Sequence, residues 1–126
     1  MSATVLVVDD DEESIQIIST MLLERGYTIR TARDGRSALE SVRQQQPDVI
    51  LLDVMMPGLH GMQVLDTLKL DPTSASIPVV MVTARAHDRD LLAGYERGAD
   101  YYVTKPFTAR QIVYAIGLVL GDHAPD

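Results

Sequence analysis

The sequence predicts a three-layer α/β fold, in which a parallel sheet of five strands is covered by helices on both faces. Five short apolar runs alternate with five segments of helical periodicity along the 126 residues, and the connections between them are short. Strands that alternate with helices in this way are parallel and joined by right-handed crossovers. Neither a repeat nor a linker divides the chain, so we expect one domain over residues 1–126 with its core at about 4–120.

The first part of the chain contains three predicted strands and two predicted helices. In the order strand, helix, strand, helix, strand, they are Thr4–Val8, Ser14–Arg25, Tyr27–Ala32, Ser37–Gln46 and Val49–Leu52. The first and third strands are continuous apolar runs, typical of strands buried on both faces, whereas the second alternates. Gly26 and Pro47 follow the two helices and predict where they end.

The second part contains three predicted helices and two predicted strands. In the order helix, strand, helix, strand, helix, they are Met62–Leu70, Pro78–Val82, Asp88–Arg97, Asp100–Val103 and Thr108–Leu120. The turn-rich stretch MMPGLHG leads into the first of them, and Gly98 follows the second. Thr108 is a good N-cap candidate, with Gln111 as a modest capping-box partner three residues later.

Composition excludes several classes of function. The chain has no cysteine, which removes disulfides, thiolate chemistry and cysteine-based metal sites. A net charge of −7, without a basic region or a helix-turn-helix pattern, argues against direct nucleic-acid binding. No apolar run approaches the roughly 20 residues that span a bilayer, and the start MSATVLVV lacks an export signal. We therefore expect no membrane insertion and a cytoplasmic location.

Polar side chains collect at the predicted strand ends. Asp9 and Asp10 follow the first strand, Asp53 the third and Thr83 the fourth, and Lys105 lies just past the fifth. The carboxyl ends of parallel strands share one edge of the sheet, where open α/β folds bind their ligands. Converging carboxylates without cysteine or clustered histidine favour Mg²⁺, or Mn²⁺ in its place. A carboxylate can also accept a phosphoryl group, whose charge an ammonium and a hydroxyl would then disperse.

Four segments, in this order, resemble the receiver domain of two-component response regulators: VVDDDEES, LLDVMMPGLHG, VMVTARA and YYVTKPF. The resemblance covers nearly the whole chain. It implies a flavodoxin-like fold with strand order 2-1-3-4-5 and five helices. It also implies a signalling domain that catalyses only its own phosphorylation and dephosphorylation, rather than an enzyme acting on other substrates.

The resemblance assigns roles to the acidic residues. Asp53 matches the residue that a histidine kinase or a histidine phosphotransfer protein phosphorylates. Asp10 matches the direct Mg²⁺ ligand, and Asp9 matches an acid that acts mainly through metal-bound water. The backbone carbonyl of Met55 is similar to a third protein ligand, and its side chain holds a position that tunes the lifetime of the phosphate in this family.

The resemblance also implies how the domain switches. Thr83 matches the hydroxyl that moves toward the phosphoryl group, and Lys105 matches the cation that pairs with it. Tyr102 matches the aromatic residue that changes rotamer with phosphorylation. Ala84 is small enough to leave room for a phosphoryl donor, and Arg85 holds a second lifetime-tuning position.

Four tyrosines fall in the last third of the chain: Tyr95, Tyr101, Tyr102 and Tyr114. They could simply pack a strand between two helices. They could also form the partner face that this family builds from its fourth helix, fifth strand and fifth helix, which would allow a homodimer. Both interpretations stay open for Tyr95, Tyr101 and Tyr114, whereas the resemblance favours a functional role for Tyr102.

Other polar residues have simpler explanations. Asp34, Asp48 and Asp71 are expected to be helix caps or solvated turn residues. The acids at 11–13 are expected mainly to open the first helix, because carboxylates favour its unpaired N–H groups. His60 is expected to be a loop residue rather than a phosphate carrier.

Two other functions, the context of the chain and the geometry of one peptide bond remain open. An aspartate-nucleophile phosphatase of the dehalogenase-like class would need an acid-base aspartate two residues after Asp53, where this chain has Met55. A receiver-like module that works without phosphorylation has no sequence feature in its favour. The sequence leaves undecided whether the chain is free-standing or part of a longer regulator or hybrid kinase, and whether the Lys105–Pro106 bond is cis.

Overall fold

The computed structural model describes residues 3–54, 56, 60–83 and 97–121, and its strands form one five-stranded sheet. The strands are β1 (Thr4–Val8), β2 (Thr28–Ala32), β3 (Val49–Asp53), β4 (Val79–Thr83) and β5 (Tyr101–Thr104). All neighbours pair in parallel, in the order β2-β1-β3-β4-β5. The predicted flavodoxin-like strand order is therefore confirmed.

Four helices accompany the strands within the described residues. They are α1 (Glu12–Glu24), α2 (Gly35–Gln44), α3 (Gly61–Leu70) and α4 (Ala109–Leu120). The further helix predicted over Asp88–Arg97 falls almost entirely outside the described residues, so α4 corresponds to the last predicted helix. None of the four helices is long and apolar enough to cross a bilayer.

The helices cover both faces of the sheet because alternate residues of each central strand point to opposite sides. On one face, the buried cluster joins β1 to α2 and α3 and includes Leu6, Val8, Val42, Leu65 and Leu68. On the other face, the buried cluster joins β1 to α1 and α4 and includes Val5, Val7, Ile18, Leu22 and Ile112. Each fully buried side chain of this kind contributes roughly 1.5–3 kcal/mol. The two clusters confirm the predicted layers.

The first two helices each begin two residues before their predicted starts, because an aspartate caps each one. The carboxylate of Asp11 accepts from the N–H of Glu13 (3.3 Å), and that of Asp34 accepts from the N–H of Ser37 (2.7 Å). Such bonds satisfy N–H groups that have no partner within the helix. The bond from Ser37 is also the main reason that the pKa of Asp34 lies below 3.8.

The later helices also begin with side-chain caps. His60 is more than the loop residue that the sequence predicted, since its Nδ1 accepts from the N–H of Met62 (3.2 Å). Gln63 accepts from the N–H of His60 in return (2.9 Å). At α4, Thr108 and Gln111 form a complete capping box, stronger than the modest match expected from sequence.

A lysine fixes the connection between α3 and β4. The Nζ of Lys69 donates to the backbone carbonyls of Ala75 (3.0 Å) and Ile77 (2.9 Å) and lies 3.8 Å from the carboxylate of Asp100. Asp100 accepts from the N–H of Val79 (2.8 Å), at the start of β4. These contacts hold the amino edge of the sheet in place and so help to set the register of β4 and β5.

Candidate functional site

Buried polar groups are concentrated at the carboxyl edge of the sheet. Among the described residues, four polar or charged side chains are buried, and Asp9, Asp53 and Thr83 are three of them. Each follows or ends a strand, as predicted. Burying a carboxylate is costly unless hydrogen bonds or an opposite charge compensate for it. The buried carboxylates at this edge therefore need hydrogen-bond donors or cations beside them. The chemical nature of those groups indicates which ligands the edge can bind.

Asp9, which is only 2% exposed, has a donor for each carboxylate oxygen. Its Oδ2 accepts from the Nζ of Lys105 (3.1 Å), and its Oδ1 accepts from the N–H of Asp11 (3.0 Å). The second bond is an Asx turn, a local arrangement that aspartate favours. The sequence predicted that Asp11 mainly opens the first helix, and it did not predict this second role, in which the backbone of Asp11 orients Asp9.

Asp53 ends β3 and faces the same lysine. Its Oδ1 lies 3.7 Å from the Nζ of Lys105, so one ammonium stands between the carboxylates of Asp9 and Asp53. Gly61 makes the neighbouring turn possible, because a Cβ there would lie 2.4 Å from the carbonyl oxygen of Asp53. Glycine is therefore the residue that fits this turn without displacing the backbone of Asp53.

The last two strands bring Thr83 and Lys105 to the same edge. The N–H of Lys105 donates to the carbonyl of Thr83 (2.8 Å), one residue beyond the pairing of Thr83 with Thr104. Thr83 is 2% exposed and lies on the strand beside β3. The Lys105–Pro106 peptide is cis, which answers the question that the sequence left open.

The pKa of Lys105 reflects opposing effects. Burial is the largest single influence and lowers the pKa, because it disfavours the charged form. The charge of Asp53, the hydrogen bond to Asp9 and the charges of Asp9 and Asp11 act in the opposite direction. Together they outweigh burial and raise the pKa above 10.5, so the ammonium is fully charged at neutral pH.

The acids at this edge form a group that fits a metal ion. Asp9, Asp10 and Asp53 each offer one carboxylate oxygen, and the three oxygens lie within 4.8 Å of one another. Asp10 is exposed and opens the group to solvent. Three carboxylates against one ammonium leave two negative charges, which a divalent cation would balance. Hard oxygen ligands are those that Mg²⁺ prefers, and the same group fits phosphorylation of an aspartate.

The described residues include part of the predicted site. Met55, Ala84, Arg85 and Tyr95 lie outside the described residues, and their roles stay predictions. Tyr102 is described, and its partly buried ring packs against the cluster beneath α2 and α3.

The aspartates that were expected to be structural lie away from the acidic group. Asp48 accepts from the N–H of Thr4 (2.7 Å), and Asp71 accepts from the N–H of Thr73 (3.0 Å). Asp34 at the start of α2 is a cap and Asp71 forms a local turn, which confirms their interpretation, whereas Asp48 binds the start of β1.

Comparisons with known proteins agree with this arrangement. The family model described as response regulator receiver domain matches residues 5–117. The chain is 41% identical to the probable transcriptional regulatory protein TcrX of Mycobacterium tuberculosis, over 93% of this chain and 49% of TcrX. It is 46% identical to the response regulator PleD of Caulobacter vibrioides, over 84% of this chain and 23% of PleD. The structure of the chemotaxis response regulator CheY4 of Vibrio cholerae superimposes with a TM-score of 0.90 at 30% identity, covering 94% of this chain and 99% of CheY4.

Proposed function

Since this chain belongs to the response regulator receiver domain family, we propose that it is a phosphorylation-switched signalling domain of a two-component system, with Asp53 as the phosphoryl acceptor. One observation supports this most: the buried carboxylate of Asp53 has an ammonium 3.7 Å away and two further carboxylates beside it. The chain spans about half of TcrX and about a quarter of PleD. We therefore propose that the domain controls an output, without naming that output.

The proposed transfer uses a histidine kinase or a histidine phosphotransfer protein as donor. An oxygen of Asp53 bonds to phosphorus as the P–N bond of phosphohistidine breaks, and the bonding electron pair goes to the ring nitrogen, which takes up a proton. Lys105 then exchanges carboxylate partners for phosphoryl oxygens. Mg²⁺ held by Asp9, Asp10 and Asp53, with the Met55 carbonyl as a further ligand, would supply positive charge beside those oxygens.

The proposed switch lies on β4 and β5. Thr83 is buried on the strand next to Asp53, and its hydroxyl is proposed to move to a phosphoryl oxygen. Tyr102, on the adjacent strand, is paired with Met81 in the sheet, and its side chain is partly buried. The phosphoryl group shifts the domain between two states only if it binds one of them better.

The proposed partner face includes β5 and α4. Tyr101 and Tyr114 form an edge-to-face contact with ring centroids 6.4 Å apart, and Tyr114 is 53% exposed. Aromatic residues of this kind, apolar and half-exposed, are common at interfaces. We include in the proposal that this face, together with Tyr95, contacts a target or a second copy of the chain.

The acceptor assignment can be tested with acetyl phosphate and Mg²⁺. The P–O bond of acetyl phosphate breaks and acetate leaves as Asp53 is labelled, so Asp53→Asn should abolish labelling in a phosphate-affinity gel. Asp34→Asn is the matched control, because asparagine keeps the cap of α2 on the exposed side of the molecule. Equal labelling of Asp53→Asn and the unaltered protein would refute the assignment.

A further inference from the structure

A groove lies between α2 and α3, close to the amino edge of the sheet and therefore at the opposite edge from the acidic group. Its volume is about 290 Å³, and its apolar floor is formed by Leu39, Val42 and Leu68. Arg43 and Asp71 are part of its lining, near the C-terminal ends of the two helices. Pockets for drug-sized ligands hold roughly 300–1,000 Å³, so this groove suits a smaller molecule.

Most polar groups in the lining already have partners within the protein. The hydroxyl of Thr67 donates to the carbonyl of Gln63 (2.9 Å), and that of Ser74 donates to the carbonyl of Leu68 (2.7 Å). The hydroxyl of Thr73 donates to Oδ1 of Asp71 (2.9 Å). These groups gain little from a ligand, so they do not determine which ligand binds.

Two side chains of opposite charge in the lining can form further hydrogen bonds. Among the described residues, the guanidinium of Arg43 has no hydrogen-bond or ion-pair partner. Asp71 accepts both of its bonds from Thr73 through Oδ1, which leaves Oδ2 unused within the same part of the chain. The bond from the Thr73 N–H is the main cause that lowers the pKa of Asp71, and the charge of Arg43 acts in the same direction. The two charges therefore interact electrostatically, but the side chains form no ion pair in the described structure.

We propose that this groove binds a free α-amino acid with a branched or aromatic apolar side chain. The ligand's carboxylate would pair with the Arg43 guanidinium, its ammonium with Oδ2 of Asp71, and its side chain with the floor formed by Leu39, Val42 and Leu68. Arginine favours carboxylates because its planar donors match their geometry. This proposal goes beyond the phosphorylation of Asp53 and does not depend on it.

The test is an NMR titration of the ¹⁵N-labelled protein with L-leucine. We expect saturable shifts of the backbone amides of Val42, Arg43, Leu68 and Asp71. Leucinamide lacks the carboxylate and 4-methylpentanoate lacks the amine. Since a hydrogen bond to a charged group contributes about 1.5–3 kcal/mol, each should bind roughly 10- to 100-fold more weakly. The absence of saturable shifts, or equal binding of either analogue, would overturn the proposal.

Three variants locate the site. Arg43→Gln and Asp71→Asn should each weaken leucine binding about tenfold or more, and asparagine still accepts from Thr73. Arg36→Gln removes a charge from the first turn of the same helix, outside the groove, and should bind leucine unchanged. Circular dichroism and thermal unfolding establish that each variant is folded. Wild-type affinity in a folded Arg43→Gln variant would also overturn the proposal.

Discussion

The chain's two lysines lie at opposite edges of the sheet and have very different partners. Lys69 and Lys105 are similarly buried, with 18% and 25% of their side chains exposed. Lys69 donates to two backbone carbonyls at the amino edge. Lys105 stands between two buried carboxylates at the carboxyl edge.

The difference shows how partners decide whether a buried cation is structural or functional. A backbone carbonyl is neutral and belongs to the chain path, so Lys69 holds one connection in one arrangement. A carboxylate is charged and can also bind a metal ion or accept a phosphoryl group, so we propose that the contacts of Lys105 change without unfolding of the chain. Four experiments, in order of decreasing effect, test the division between a structural and a functional lysine.

Lys105→Met should lower the rate of labelling by acetyl phosphate about 100-fold, because it removes the ammonium 3.7 Å from Asp53 that we propose pairs with the phosphoryl oxygens. The measurement is the initial rate at saturating Mg²⁺. Lys69→Met is the control, since it removes the same charge at the other edge, and it should keep a rate close to that of the unaltered protein. Equal losses of labelling rate in the two variants would contradict the division between a structural Lys69 and a functional Lys105.

Asp10→Ala should weaken Mg²⁺ binding roughly 10- to 100-fold, because it removes one of three converging oxygens. Titration calorimetry measures this directly. Glu12→Ala removes an exposed acid that pairs with Arg33, and we expect little change in Mg²⁺ affinity. A comparable loss in Glu12→Ala would mean that bulk negative charge, rather than the three oxygens, binds the ion.

Lys69→Met should reduce the free energy of unfolding by about 1–3 kcal/mol, since two backbone carbonyls lose their donor. Urea denaturation monitored by circular dichroism measures the change. Methionine keeps most of the side chain's length, so little packing is lost. A variant as stable as the unaltered protein would show that solvent satisfies those carbonyls equally well.

Alkaline pH should produce the smallest effect, and it should act through Lys105. Its pKa is raised in the folded protein, so its contribution to stability is complete below the unfolded value of about 10.5 and is lost as pH rises through the folded value. The difference in stability between the unaltered protein and Lys105→Met should therefore change only in that window. A difference that is constant from neutral pH to beyond the window would contradict the raised pKa.

Apolar patterning predicted the strands and the polar residues at their ends, whereas the strand order was implied by the resemblance to receiver domains. Asp53, Thr83 and Lys105 lie where that pattern placed them. The partners of Lys69 could not be predicted, since they are carbonyls whose position depends on the path of a connection. The cap by His60 was also missed, because imidazole is an uncommon helix cap.

Helix α3 contacts the sheet at both of its ends, and the glycine at its start makes one of these contacts possible. Gly61 packs against the backbone of Asp53, and Lys69, in the last turn, donates to the backbone at the amino edge of the sheet. Ten residues of helix span about 15 Å, so α3 reaches from one edge of the sheet to the other. A phosphoryl group on Asp53 and a ligand in contact with Leu68 would therefore act at opposite ends of the same helix. Any resulting coupling of their affinities must be equal in both directions.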